Sequence, residues 1–277
     1  MFNKPFCCLI SYALICAFMC RESHSQEGCD QRSLYFPSSI DCSQFEHGDW
    51  ELIFEDDFNG SHINSEIWYT CEEGWNRKHG DELQYYKDEN IIVEDGILHL
   101  EARDDPGMYP VWVFEEDSAH EENMFFQYSS AWIQTKAKYQ YGYFEVKCKL
   151  PEGRGFWPAF WLFGNGYEVD IFEFDGADPH KCHFDAHKWY DTCSIRCSDD
   201  AYDESFFDTY HIYSLEWDEF KLVYRIDGVV KRTLNRYNDY LGRVIDNCHN
   251  LIFSHRAFDL VLFPRKPMSI ILNLAIS

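Results

Sequence analysis

Residues 90–102 read NIIVEDGILHLEA, two runs rich in Ile, Val and Leu on either side of Asp95-Gly96. Asp-Gly suits a two-residue hairpin because both positions tolerate the positive φ that a primed turn demands. The stretch therefore predicts an antiparallel hairpin, and the chain repeats the device. FKLVYRIDGVVKRT (220–233) carries a second Asp-Gly turn. SAWIQTKAKYQYGYFEVKCKL (130–150) predicts a further hairpin that turns near Tyr139 to Gly142. FWPAFWLF (156–163), YEVDIFEF (167–174), HIYSLEW (211–217) and MSIILNLAI (268–276) add strand-like runs. Helical periodicity is nearly absent, with a turn or two of helix expected only at 236–248. Many short strands at regular spacing predict an all-β fold, an antiparallel β-sandwich. Residues 104–127, polar and aromatic with Pro106 and Pro110, are expected to form a long loop at a groove rim.

Composition narrows the partner. The 277 residues carry a formal charge of −24, which repels nucleic acid and favours a neutral ligand. Aromatic residues make up 18% of the chain, with nine Trp, more than a core needs, and the surplus suggests rings exposed in a groove. The first residues, MFNKPFCCLISYALICAFMCRESHSQ, read as a secretory signal. Lys4 supplies the positive end, and the apolar run 6–20 is too short for a membrane span. Ser23-His24-Ser25 offers a cleavage site, and lipidation of Cys20 is the alternative. The chain thus divides into a signal at 1–25, an irregular arm at 26–48 and one domain at 49–277. Beyond the signal stand Cys29, Cys42, Cys71, Cys148, Cys182, Cys193, Cys197 and Cys248. In an exported chain these predict disulfides or buried thiols, in preference to zinc held by Cys193, Cys197, His183 and His187.

GYEVDIFEFDG (166–176) poses the functional question, since it sets four carboxylates among apolar residues. Burying an unpaired carboxylate is costly, so such a strand opens onto water, a metal or a substrate. Side chains alternate along a strand, which puts Glu168 and Asp170 on one face and Val169 and Ile171 on the other. Glu173 falls on the wrong face unless a one-residue bulge near Ile171-Phe172 brings it back. Three carboxylates so aligned repel one another and split their proton affinities, as a nucleophile and a proton donor require. An exposed acidic edge and a calcium site are the alternatives for this pattern alone. Upstream, Trp157, Ala159 and Trp161 share one face, opposite Pro158, Phe160 and Leu162. If that strand pairs with the acidic one, indole rings and carboxylates line one groove, which suits a sugar polymer.

These blocks resemble glycoside hydrolase family 16, in its laminarinase-like branch. The similarity runs from WELIFEDDFNG (50–60) through DELQYYKDENIIVEDGILHLEA (81–102) and YGYFEVKCKLPEGRGFWPAFWLFG (141–164). YEVDIFEF, YHIYSLEWDEFKLVYRIDGVVKRT (210–233) and MSIILNLAIS (268–277) continue it in the family's order. The resemblance implies a concanavalin A-like jelly roll with a concave substrate cleft. It implies an endo-acting, retaining hydrolase of a neutral β-glucan, most simply β-1,3-linked, acting as a monomer on a polysaccharide. On it, Glu168 is the nucleophile, Asp170 its orienting neighbour and Glu173 the acid/base. Trp157 and Trp161 would hold sugar rings, Trp75 would add a platform, and His187 would stand beside the acid/base. Red-algal galactan is the alternative substrate, and a binding or transglycosylating protein the alternative role. No cofactor is implied beyond a structural calcium near Gly96. Two departures stand out. Asp81 replaces the asparagine usual before ELQ, and the family's last strand, which helps hold that calcium, does not follow LNLAIS.

Overall fold

In the computed structural model, the described residues are 6–11, 16–20, 50–114, 118–189, 194–236, 245–246 and 263–277. The first strands are β1 (Phe6–Ser11), β2 (Cys16–Cys20), β3 (Trp50–Phe54), β4 (Trp68–Tyr69), β5 (Gln84–Tyr86) and β6 (Ile91–Glu94). Then come β7 (Ile97–Phe114), β8 (Ala119–Ser130), β9 (Trp132–Thr135), β10 (Gly142–Cys148), β11 (Phe156–Gly164) and β12 (Tyr167–Glu173). The remainder are β13 (Lys181–Trp189), β14 (Ser194–Arg196), β15 (Asp199–Tyr202), β16 (His211–Trp217), β17 (Lys221–Ile226), β18 (Val229–Asn235), β19 (Ile245–Asp246) and β20 (Ser269–Ile276).

The site-bearing sheet runs β19-β14-β13-β12-β11-β20-β9-β4, with β15 alongside β13. A second sheet runs β18-β17-β16-β10-β2-β3, and a third β1-β7-β8-β5 with β6 on β7. The pairings within the two main sheets are antiparallel, the sandwich that the turn pattern predicts. The core joins the two main sheets ring to ring. Phe172 of β12 lies 4.5 Å from Tyr213 of β16, and Phe174 touches Phe206, Phe207 and Tyr213. Burying a side chain of this size stabilises the fold by about 1.5–3 kcal/mol.

Both Asp-Gly turns form as read. Asp95 and Gly96 take φ of 52° and 72° between β6 and β7, and Asp227 and Gly228 take 50° and 75° between β17 and β18. The expected turn near Tyr139 is not a hairpin. β9 pairs with β20 and β4, whereas β10 pairs with β16 and β2, so the segment between them crosses from one sheet to the other. Tyr139 explains the change, because its N–H and C=O both bond to Met268 and not back across a turn.

The expected loop at 104–127 is also corrected. It is largely a hairpin, paired from Met108↔Phe125 to Phe114↔Ala119. Buried Val111 and the stacking of Tyr109 on Tyr85 at 4.7 Å anchor it. Pro106 sits inside the register shift at Asp104/Gly107, where no ladder N–H is required. Among the cysteines, Cys71 and Cys182 are free thiols, and Cys148, Cys182 and Cys197 are buried. Cys29, Cys42, Cys193, Cys248 and the arm at 26–48 lie outside the described residues, as does most of 236–248.

Candidate active site

β12 occupies the middle of its sheet, between β11 and β13. Its register shows the bulge. Asp170 pairs with Asp185 and Glu173 with His183, so Ile171 and Phe172 together oppose Phe184 alone. On the other side, Phe160 pairs with Phe172 and Trp161 with Asp170, leaving Ile171 unmatched. Both bulge residues are core residues, at 1% exposure each, together with Val169 and Phe174. The extra residue turns Glu173 to the face of Glu168 and Asp170, and all three line one groove of about 520 Å³.

β11 supplies the wall read from its alternation. Pro158, Phe160 and Leu162 are buried, whereas Trp157, Ala159 and Trp161 line the groove. Trp157 Nε1 donates to Glu173 Oε1 at 3.0 Å, and Trp161 Nε1 donates to Asn273 Oδ1 at 2.8 Å. Trp132 stands edge-on to Trp161 at 5.3 Å, and His79 stacks on Trp132 at 5.5 Å. Trp75 is not among the groove-lining residues. It is 47% exposed and packs edgewise on Trp112 of the β7–β8 hairpin.

β13 carries Asp185 and Trp189, which sequence reading missed, beside His183 and His187, which it named. Trp189 Nε1 donates to Glu168 Oε2 at 2.7 Å, so each outer glutamate accepts one indole N–H. His187 pairs in register with Glu168, and its Nε2 lies 3.5 Å from Glu168 Oε1 and 3.2 Å from Asp170 Oδ2. The histidine in register with Glu173 is His183. Behind both rings sits Asp185, whose Oδ2 is 3.2 Å from His187 Nε2 and 3.6 Å from His183 Nε2. Ser198 donates to that same oxygen at 2.7 Å, and His183 Nδ1 reaches Asp200 Oδ1 at 2.6 Å. A signal for this row did exist. His183, Asp185, His187 and Trp189 alternate in HFDAHKW, so one strand face carries all four.

Charge and burial oppose one another here. Burial pushes the Glu173 carboxyl up to about 8, reinforced by the charge of Asp170. Burial and Asp170 likewise raise Glu168, while the His187 charge and the Trp189 N–H oppose them. Burial raises Asp170 too, against its contact with His187. Burial alone would lower His187, but Asp170 and Asp185 reverse the sign and carry it up to about 11. Contact with Asp185 lifts His183 to about 9. Burial would raise Asp185, yet its bonds with His183, His187 and Ser198 win and hold it below the usual carboxylate range. The cluster titrates as a unit. The His187 ring stands 3.2 Å from Asp170 and Asp185 and 3.5 Å from Glu168, whereas burial favours a proton on both outer glutamates.

Glu168, Asp170 and His187 each offer a ligand atom within 4.8 Å of the others. His187 already faces both carboxylates as ion pairs, and the walls are indole rings, an arrangement that suits carboxyl chemistry on an uncharged, C–H-rich ligand. A carboxylate flanked by a carboxylic acid in an aromatic groove can attack and protonate the two ends of one bond.

A family model described as Glycosyl hydrolases family 16 matches residues 81–274. Glucan endo-1,3-beta-glucosidase A1 of Niallia circulans is 29% identical over 204 residues, covering 64% of this chain and 28% of that protein. Beta-glucanase of Rhodothermus marinus is 32% identical over 192 residues, covering 61% of this chain and 59% of that protein. The chain therefore spans less than two thirds of the length of either relative. The laminarinase catalytic domain of Thermotoga maritima superposes with a TM-score of 0.59 at 28% identity, over 83% of this chain and 88% of that one.

Proposed function

The chain belongs to glycosyl hydrolases family 16, and from that premise we propose that it is an endo-β-1,3-glucanase that cleaves its polymer with retention of configuration. The observation that carries the reading is the bulge, which sets Glu168, Asp170 and Glu173 side by side under two indole donors. In the first step the Glu168 carboxylate attacks the anomeric carbon and forms a glycosyl ester. The bond to the leaving oxygen breaks, and Glu173 gives that oxygen its proton. In the second step Glu173, now a carboxylate, takes a proton from water as the hydroxyl attacks the same carbon and releases Glu168. Asp170 keeps a negative charge beside His187 and so orients the cation shared with Glu168. Trp157 and Trp161 offer ring faces to the C–H faces of the sugars, while Asn273 and His79 offer polar atoms at the same walls. The chain's negative charge supports a neutral glucan over a sulfated galactan.

The test is product release from laminarin, mixed-linkage glucan and agarose side by side, for the native chain and for Glu168→Gln. Oligosaccharides from laminarin that keep the β-anomer when first formed, and that vanish in the variant, are the expected result. Release from agarose alone would move the substrate to a galactan. Binding of laminarin that is unchanged by the substitution, with no products from any polymer, would make the chain a binding protein. Export on residues 1–25 belongs to the same proposal.

A further inference from the structure

Asp185 is a buried carboxylate, 1% exposed, that no step above uses. Its surroundings are built around it. Oδ1 accepts its neighbour Ala186 N–H at 2.8 Å and Oδ2 accepts the Ser198 hydroxyl at 2.7 Å. On the core side, Tyr224 donates to the Asp185 backbone carbonyl at 3.2 Å, and Arg232 bonds to the carbonyls of Phe184 and Cys197. The carboxylate is therefore fixed in position before it meets any histidine. A charge so deeply placed is tolerated only where something opposes it.

What opposes it is His187. Nε2 of that ring faces three carboxylate oxygens, at 3.2 Å from Asp185, 3.2 Å from Asp170 and 3.5 Å from Glu168. Nδ1 is buried with no hydrogen-bond partner among the described residues, so the pull on the ring comes from the Nε2 side. Trp189 stacks on the ring at 5.6 Å and 12°, which holds its plane. Other charges nearby are Arg196, the exposed register neighbour on β14, and His183, which lies between Asp185 and Asp200, the latter paired with Lys181. Glu173 lies across from His183.

We propose that Asp185 is a positioning residue of the hydrolytic site: it holds the His187 imidazole as a cation against Glu168 and Asp170, and so keeps the nucleophile ionised while Glu173 carries its proton. The proposal rests on the reading of Glu168 as nucleophile. It also assigns a sign. Removing a buried negative charge acts directly on the neighbouring carboxylates by making them easier to ionise. Acting through His187, the same removal takes away the cation and makes Glu168 harder to ionise. The two routes move the acid limb of activity in opposite directions.

The experiment compares kcat/KM against pH on laminarin for the native chain, Asp185→Asn, His187→Asn and the double variant. The acid limb should move upward by about one pH unit in Asp185→Asn, roughly a fivefold loss of kcat/KM at the native limb's midpoint that approaches about tenfold on its acid side. His187→Asn should move it the same way, and the double variant no further, because the two residues act in series. An acid limb that stays in place or moves down overturns the proposal, as does a double variant with twice the displacement. Should Asp185→Asn fail to fold, Ser198→Ala loosens the same carboxylate without changing charge and should give a smaller upward movement. Carbon-13 chemical shifts of the His187 ring supply a readout independent of activity. The ring should stay protonated past neutrality in the native chain and lose its proton at a distinctly lower pH in Asp185→Asn, where Asp170 and Glu168 still face it. Equal titration in both overturns the proposal. If no polymer is cleaved, the glucanase reading fails while the ring titration still decides what Asp185 does.

Discussion

Glu173→Gln isolates what the site costs the fold. Glutamine keeps the shape of a protonated glutamic acid and can still accept the Trp157 N–H at Oε1. In the native chain, burial and then Asp170 push Glu173 from 4.5 up to about 8. The folded protein therefore holds a proton that the unfolded chain releases earlier. Below about pH 4 both states are protonated and the stabilisation is fully present. It declines as pH rises through that window and is lost once pH passes the folded value. A tenfold difference in proton affinity between the folded and unfolded chain corresponds to about 1.4 kcal/mol, so the contribution is on the order of 4–5 kcal/mol. Urea denaturation at intervals from pH 4 to pH 9 measures it. The variant's stability minus the native chain's should grow by that order across the range, since His183 and His187 titrate in both proteins. Parallel curves would refute the argument, because they would mean that Glu173 ionises in the folded protein as it does in water.

Trp189→Phe keeps the ring over His187 but removes the donor to Glu168. A hydrogen bond to a charged group contributes about 1.5–3 kcal/mol, so kcat/KM on laminarin should fall roughly 10- to 100-fold. Phe172→Ala empties the place between Phe160 and Tyr213 at the bulge. It should cost about 3–5 kcal/mol and lower the urea midpoint at an unchanged slope, whereas an unaffected midpoint would show that the bulge residue carries no packing. Intact mass of the chain recovered from a secreting host should begin at Gln26. Retention of the first 25 residues would refute the cleavage and keep β1 and β2 in their sheets.

The bulge was legible because strand parity is strict. Glu168 and Asp170 differ from Glu173 by odd steps, while the apolar residues between them can only be core, so one extra residue reconciles the two demands. The alternation of Trp157, Ala159 and Trp161 was legible for the same reason. The hairpin at 104–127 was not, since its anchors, Tyr85 and Asn76, come from another segment. Nor was the crossing between β9 and β10, which depends on Met268 reaching Tyr139 from the far end of the chain. His187 was singled out, but its partners were not. It faces Glu168 and Asp170 through the β12–β13 register, while His183 takes the place opposite Glu173. Trp75 carries an exposed aromatic ring, yet its neighbour is Trp112 and it stands outside the groove lining.

By itself, then, the sequence determined the elements and the chemistry each could bear. Turn dipeptides set φ locally, alternation sorted the faces, and the acidic strand announced its bulge. Tertiary structure alone decided which charges meet. Pairing in an antiparallel sheet joins residues distant along the chain, and a proton's preferred site depends on burial and on neighbours within a few ångströms. Asp185 shows the difference: in the sequence it is an aspartate between two histidines, and in the fold its carboxylate accepts the Ser198 hydroxyl and lies 3.2 Å from the His187 ring.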